Sequence, residues 1–328
     1  MITNDQGEFL VDTDFARGSG FQTAEILKGC FCCRFPDFMN SISETIREYE
    51  PDYILAEPVG SCTDLLATVV LPLMAYHKDK VSLAPLLILL DATRLVGEYT
   101  KMNLENPTEP KDVLVSHQIK EAMSLLVSKS DAVADKAALE AGIRRVKALN
   151  PGATAMEYSA RTGVGIDTIL EYILKVEAFY KKPIDIDYDV YAKAEADYGW
   201  YNGTWKVETE TGFDAMDFGV KMLKSFAEDE FRTEVAHAKI FVVSETCSFK
   251  ISFVMGVIQS DGICDLKHKP KSAVITLNVR ARTTPGEISS RVKDYLDRIA
   301  IDGGMRISGF RCDALIPGRP VPTYRMKE

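Results

Sequence analysis

A chain of 328 residues, 46% of them hydrophobic, is long enough to bury a substantial core and to form two domains rather than one. Its formal net charge of -9, without a long block of Lys or Arg, argues against a nucleic-acid partner, because affinity for a phosphate backbone comes from basic patches that displace counterions. No apolar run is long enough to cross a bilayer, and Met1 to Leu10 has neither the cationic start nor the apolar core of a secretion signal, so a soluble, cytoplasmic protein without a membrane partner is expected.

From Met1 to about Tyr180, short β-rich runs alternate with longer amphipathic stretches, the pattern of an α/β fold with a doubly wound, mostly parallel sheet. Tyr53 to Glu57 reads as a buried strand and Ser61 to Tyr76 as a helix. Leu86 to Asp91 and Ser124 to Ser128 read as further buried strands. A helix is expected from about Val133 to Leu149, where Ala, Leu, Lys and Arg dominate and Asn150-Pro151-Gly152 supplies a stop. Ala153 to Tyr158 is a short strand, and Gly163 and Gly165 turn into a helix over Ile166 to Tyr180, with Ile169, Leu170, Ile173 and Leu174 at helical spacing.

Residues 181–203 carry Pro183, Tyr188, Tyr191, Tyr198, Trp200 and Tyr201 without a sustained sheet pattern, and read as a linker with a docking helix whose aromatics pack between domains. The remainder, 204–328, reads as a smaller α+β domain. Its strands are Thr204 to Glu210, Ala238 to Ser244, Ser248 to Met255, Ser272 to Ala281 and Arg306 to Arg311, and its helices Asp214 to Ala227 and Pro285 to Ile299. Pro285 at a first helical position after Thr283 and Thr284 makes the last helix the clearest element of this half.

Three of the seven cysteines crowd into Gly29-Cys30-Phe31-Cys32-Cys33. In a reducing compartment such thiols suit a soft divalent ion, and Cys30, Cys32 and Cys33 leave one tetrahedral position open, which fits an ion held and passed on. A redox protein would instead show a reversible disulfide between Cys32 and Cys33, a strained pairing for adjacent residues. Ile54 to Gly60 is an apolar strand ending in Glu57 and, three residues on, Gly60, an arrangement that in phosphate-hydrolysing folds places an acid near a magnesium-bound water and lets backbone approach the terminal phosphate. Ser128-Lys129-Ser130-Asp131 and Tyr158-Ser159-Ala160 follow successive strands. An Asp held there can accept both hydrogen bonds from guanine's ring NH and amino group, while a Lys stem covers the base. Cys264 with His268, and His77, His117 and His237, read as structural or solvated.

These residues resemble those of the CobW-like branch of P-loop GTPases, relatives of the hydrogenase and urease nickel chaperones. The resemblance covers about Met1 to Tyr180 and is carried by Asn4-Asp5-Gln6-Gly7-Glu8 with Asp12, which looks like the family's first switch, by the Gly-Cys-Phe-Cys-Cys segment, by Glu57 to Gly60, Asp91-Ala92, Ser128 to Asp131 and Leu149-Asn150-Pro151. It implies a GTP-dependent metallochaperone that binds GTP and Mg2+, holds Zn2+ or Co2+ at Cys30, Cys32 and Cys33, and couples hydrolysis to metal delivery. On that analogy Glu57 and Asp12 act around the magnesium and the attacking water, and Asn4, Gly60, Ser128, Lys129, Asp131, Ser159 and Ala160 contact the nucleotide. The client would be a metalloprotein or a corrinoid-dependent enzyme, recognised by the domain from about Gly203, and a homodimer is compatible with the family.

The sequence departs from the family in three places. It contains no G-x-x-x-x-G-K-[ST], the loop that cradles phosphates; Ser128 stands where the guanine motif usually has Asn; and there is no His-rich tract. Ile2-Thr3-Asn4 looks like the end of the family's second strand, so the first strand, loop and helix are expected upstream of Met1, through a misplaced start or a truncated gene. The alternative function is a non-hydrolysing metal-binding or interaction module. Whether the DNA before the first codon encodes, in frame, a glycine-rich loop ending in Gly-Lys-Thr separates a misplaced start from a degenerate protein.

Overall fold

The computed structural model describes residues 1–230, 235–254, 256–264 and 269–327. Packing divides the chain into two compact units, Met1–Val59 with Glu195–Gly318, and Gly60–Ala194 with Arg319–Glu328. Parallel sheets lie in both, and an antiparallel α+β region completes the first. No helix among the described residues is long and apolar enough to cross a membrane.

The first unit opens with three parallel strands in the order β2 (Ala24–Ile26), β1 (Ile2–Asn4), β3 (Ala56–Glu57). All of β1 is buried, as expected for a central strand. The strand expected over Tyr53 to Glu57 contracts to its last two residues. Pairing begins opposite Ile2, so Tyr53 and Leu55 have no ladder partner on β1 and stay exposed. Helix α1 (Val11–Gly18) carries Asp12 and Asp14 in its first turn and Arg17 in its last, which complements the helix dipole. Helix α2 (Phe35–Tyr49) buries Phe35, Phe38, Met39 and Ile42, one face of a 3.6-residue period, and stops at Glu50 in the left-handed region.

The rest of this unit is a six-stranded antiparallel sheet, ordered β10 (Val257–Cys264), β9 (Cys247–Val254), β8 (Val235–Ser244), β11 (Ser272–Ala281), β7 (Gly199–Glu208), β12 (Arg306–Leu315). Alternation sorts its faces. Ala238, Ile240, Val242, Phe249, Ile251, Ile275, Leu277 and Val279 join the core shared with α9 (Ala215–Glu228) and α10 (Pro285–Asp302). Thr284 caps α10 by accepting from Glu287 N, where the sequence offered a cap, and Asp214, expected as the first helical residue, instead caps α9 by accepting from Asp217 N.

The intervening residues Lys239, Lys250, Thr276, Asn278 and Arg280 point to the other face, and the N-terminal segment lies there. Asn278 Oδ1 accepts from Val11 N at 2.9 Å, and its Nδ2 donates to Phe9 O at 2.7 Å. Thr276 donates to Asp14 at 2.9 Å, and Phe15 packs edge-on against Phe241. Arg280, 7% exposed, pairs with Asp5 at 2.8 Å, donates to Asn202 Oδ1 and the carbonyls of Tyr201 and Val279, and lies 4.1 Å over the Trp200 ring.

The second unit is built on the parallel order β4 (Leu87–Asp91), β5 (Ser124–Ser128), β6 (Thr154–Glu157). Leu90, Leu125 and Val127 bury against helices α4 (Ala92–Val96), α5 (Pro110–Glu121) and α6 (Lys136–Leu149) through Leu95, Val115, Ile119, Leu139 and Val146. Helix α7 (Ile166–Lys175) ends earlier than expected because Val176 turns extended and Ala178 N donates to Leu83 O, and the short helix α8 (Tyr188–Ala196) follows. The helix expected from Ser61 starts only at Leu66, as one π-turn leading into α3 (Leu71–Tyr76). Asp64 adopts φ 66° and is held by Arg325 and Tyr188, each at 2.7 Å. Beside it Glu121, 0% exposed, accepts from Thr63 Oγ1 at 3.3 Å and from Leu66 N at 3.0 Å. Burial, reinforced by the Asp64 charge and opposed by those hydrogen bonds, pushes the Glu121 carboxyl up to about 8.

Two predictions follow from these buried charges. Arg280→Met leaves the half-buried Asp5 carboxylate with Gly7 N but without its cation and should lower the unfolding free energy by about 1.5–3 kcal/mol in urea denaturation, most of it recovered by adding Asp5→Leu. Because the folded-state pKa of Glu121 lies above the 4.5 of the free group, its contribution is complete below about pH 4.5 and is lost as pH rises through about 8. Glu121→Gln should therefore flatten the decline in melting temperature over that interval, as read by calorimetry across pH.

Candidate metal centre

The thiol loop is made by backbone that leaves β2 at Ile26 and reverses through Lys28 at φ 60° and Gly29 at φ 152°. A side chain at Gly29 would be strained at that φ and would meet Arg34 Cγ at 2.9 Å, so glycine suits both conformation and space. Arg34 N donates to Cys30 O at 2.9 Å and closes the turn, which runs directly into α2. Between the thiols, Phe31 is buried and stacks on Phe38 with centroids 4.3 Å apart, anchoring the loop to the helix.

The result gathers three sulfurs. Cys30 and Cys32 Sγ are 2.8 Å apart, Cys30 and Cys33 3.1 Å, and Cys32 and Cys33 3.8 Å. Cys30 and Cys32 are buried and Cys33 is half-buried, so the triad has one side toward solvent. Among the described residues, no other group of three Cys, His, Asp or Glu ligand atoms is drawn so close. Metal–sulfur bonds of about 2.3 Å in a tetrahedron require sulfurs about 3.8 Å apart. One pair already has that spacing, and the other two need to open by about 1 Å or less. The donor set fits a soft ion, with a fourth position left open. His268 lies outside the described residues, so the pair Cys264 and His268 has no described geometry.

The loop lies at the C-terminal ends of β1, β2 and β3, where open parallel sheets place their ligands. Asn4 ends β1 there, and Glu57 ends β3 there. Asp12, in the first turn of α1, is paired with Lys239 at 2.6 Å and lies 3.6 Å from Lys250. Burial would raise its pKa, but the two ammonium groups outweigh that and hold it at about 2. The carboxyl of Glu57, on a residue exposed overall, is pushed up by local desolvation and by the charge of Asp12, with Lys239 and Lys250 opposing. Asp12, Glu57, Lys239 and Lys250 thus form one electrostatic group in the first unit. The sequence reading named the two acids and missed both lysines, whose signal was the alternation of a cation with Ala238 and Ile240, and with Phe249 and Ile251, along strands otherwise apolar on one face.

The remaining expected site residues belong to the second unit. Ser128 Oγ donates to Leu90 O at 3.2 Å, and Lys129, at φ 56°, pairs with Asp91 at 2.8 Å. Burial would raise the pKa of Asp91, but hydrogen bonds from Lys129 and Thr93 outweigh it and hold the carboxyl below its ordinary value. Asp131 is exposed, with its acceptors available. Ser130 N donates to Tyr158 O and Tyr158 N to Val127 O, which draws the loops after β5 and β6 together. Ser159 is buried and accepts from Thr162 N, whereas Ala160 is exposed. Gly60 is exposed, and its carbonyl accepts from Gln118 Nε2 at 3.0 Å.

Residues 1–157 match the model of the family described as CobW/HypB/UreG, nucleotide-binding domain. No curated protein matches the chain. Among solved structures it is similar to the Zn(II)-bound YjiA GTPase from E. coli, at 12% identity over 91% of this chain and 89% of that one, with a TM-score of 0.34. It is also similar to a Zn(II)-bound triple mutant of the YjiA GTPase, at 11% identity over 91% and 89% of the two chains, with a TM-score of 0.35. Over residues 1–157 the chain is therefore similar to the nucleotide-binding domain of the CobW/HypB/UreG family.

Proposed function

We propose that the protein is a GTP-dependent metal-handling accessory protein that takes up a soft divalent ion, Zn2+ or Co2+, as cargo at Cys30, Cys32 and Cys33 and passes it to a client. The observation that carries this reading is the thiol triad itself, gathered at strand ends within the stretch that matches a nucleotide-binding family. A site with three sulfur donors binds firmly yet leaves a position through which a client ligand can enter and take the ion. In this reading Glu57 and Asp12 serve the magnesium and water side of the nucleotide, and Gly60, Ser128, Lys129, Asp131, Ser159 and Ala160 serve its phosphates and base. The client is a metalloenzyme or corrinoid-dependent enzyme, and zinc, cobalt and cobalamin chemistry are its candidate settings.

A second reading is favoured by one observation, that the sequence holds no G-x-x-x-x-G-K-[ST]. It keeps the thiols and the metal and dispenses with hydrolysis.

Two titrations of the full chain decide between them. Metal analysis after loading should find about one zinc per chain, lost when Cys30, Cys32 and Cys33 are all changed to Ser. A fluorescent GTP analogue should bind with magnesium present and be displaced by GTP but not by ATP, and Asp131→Ala should weaken it at least tenfold. Zinc without nucleotide would favour the metal-binding module, and neither would sink both.

A further inference from the structure

The side chain of Asn4 is spent almost entirely on the thiol loop. Its Nδ2 donates to Gly29 O at 2.7 Å and to Ile26 O at 2.9 Å, and its Oδ1 accepts from Phe31 N at 3.0 Å. Both ends of the amide are used, in the correct donor and acceptor sense, and the residue is 9% exposed. The partners lie on either side of the turn. Ile26 is the last residue of β2, Gly29 sits at φ 152°, and Phe31 stands between two of the sulfurs. One planar group thus ties the entrance of the loop to its thiol-bearing part, across 22 to 27 positions of sequence.

From this geometry we infer that Asn4 is a positioning residue for metal at Cys30, Cys32 and Cys33, an inference that rests on those thiols being the metal site. It touches no sulfur. It fixes the peptide units that aim Cys30 and Cys32, so that the sulfurs converge before the ion arrives and less ordering entropy is lost on binding. An Ala at position 4 would leave the carbonyl of Gly29 and the N–H of Phe31 to find water, while Ile26 O keeps only Asp5 N, and the turn would sample conformations in which the sulfurs diverge. Asn is the residue that meets this need. Asp offers no donor to the carbonyls, and the methyl-bearing Thr cannot supply an acceptor and two donors at once.

A control lies one residue away. Thr3 Oγ1 is hydrogen-bonded to Thr13 Oγ1 at 2.6 Å, equally buried and in the same strand, but it does not touch the thiol loop. In the full chain, zinc affinity is measured by competition with a chromophoric chelator, and cobalt(II) spectra report the coordination geometry. Asn4→Ala should weaken zinc 10- to 100-fold and alter the cobalt ligand-field bands while three thiolates still bind. Thr3→Val, at a similar loss of melting temperature, should keep zinc affinity within about twofold. Equal effects of the two variants, or an Asn4→Ala protein with unchanged zinc affinity and cobalt spectrum, would overturn the inference.

If Asn4→Ala does not accumulate as folded protein, amide exchange on the unaltered chain reads the same claim. The Phe31 N–H should be strongly protected without metal, and exchange at the rate of an open loop would overturn it. A different failure marks the underlying reading: zinc affinity that survives replacement of all three cysteines by Ser would remove the site rather than the role of Asn4.

Discussion

Three sulfur atoms within 4.8 Å of one another are a costly arrangement for a chain to hold, because as thiolates they repel and as thiols they gain little. The backbone imposes it. A left-handed residue, a glycine that tolerates φ 152°, a closed turn from Cys30 to Arg34 and the stacked pair Phe31 and Phe38 together leave the loop little choice. A cation is the group that relieves the crowding, so the loop stores a preference for metal in its own conformation.

The same first unit sets a second constraint on the segment that leaves β1 and enters the first turn of α1. Asp5, Phe9, Val11, Asp12 and Asp14 are each gripped by the polar face of the antiparallel sheet, through Arg280, Asn278, Lys239 and Thr276. Asp12 and Lys239 lie 227 positions apart in sequence. The segment that the family resemblance assigns to nucleotide sensing is therefore bound at one end to the thiol loop through Asn4 and along its length to the C-terminal sheet. Any displacement of it would have to break the part-buried ion pairs of Asp5 with Arg280 and of Asp12 with Lys239, and the hydrogen bonds to Asn278.

Much of this was legible in the residues, and the reasons differ by element. Strand β11 runs over Ser272–Ala281 as its alternation predicts, and α10 begins at Pro285 behind its Thr284 cap, because both signals are local. The thiol triad was legible for the same reason, since three cysteines within four positions have little room to diverge. The strand Val257–Cys264 was not read, because Gly256, Asp261 and Gly262 interrupt its pattern and its order comes from pairing with β9. The start of α3 was misplaced because Asp64 is turned to a positive φ by Arg325 and Tyr188, partners far along the chain. Beyond their place in the alternation, Lys239, Lys250 and Arg280 carry no signal in the sequence that sets them apart from other strand cations. Only the tertiary structure shows which acids they meet.

X-ray absorption at the zinc edge of the full chain, loaded with one equivalent of metal, tests the account at its centre. The account requires a first shell with three sulfur scatterers at about 2.3 Å and a single lighter ligand. A shell of nitrogen and oxygen alone would contradict it, because the ion would then sit elsewhere and the crowded thiols would have no bearing on what the protein carries.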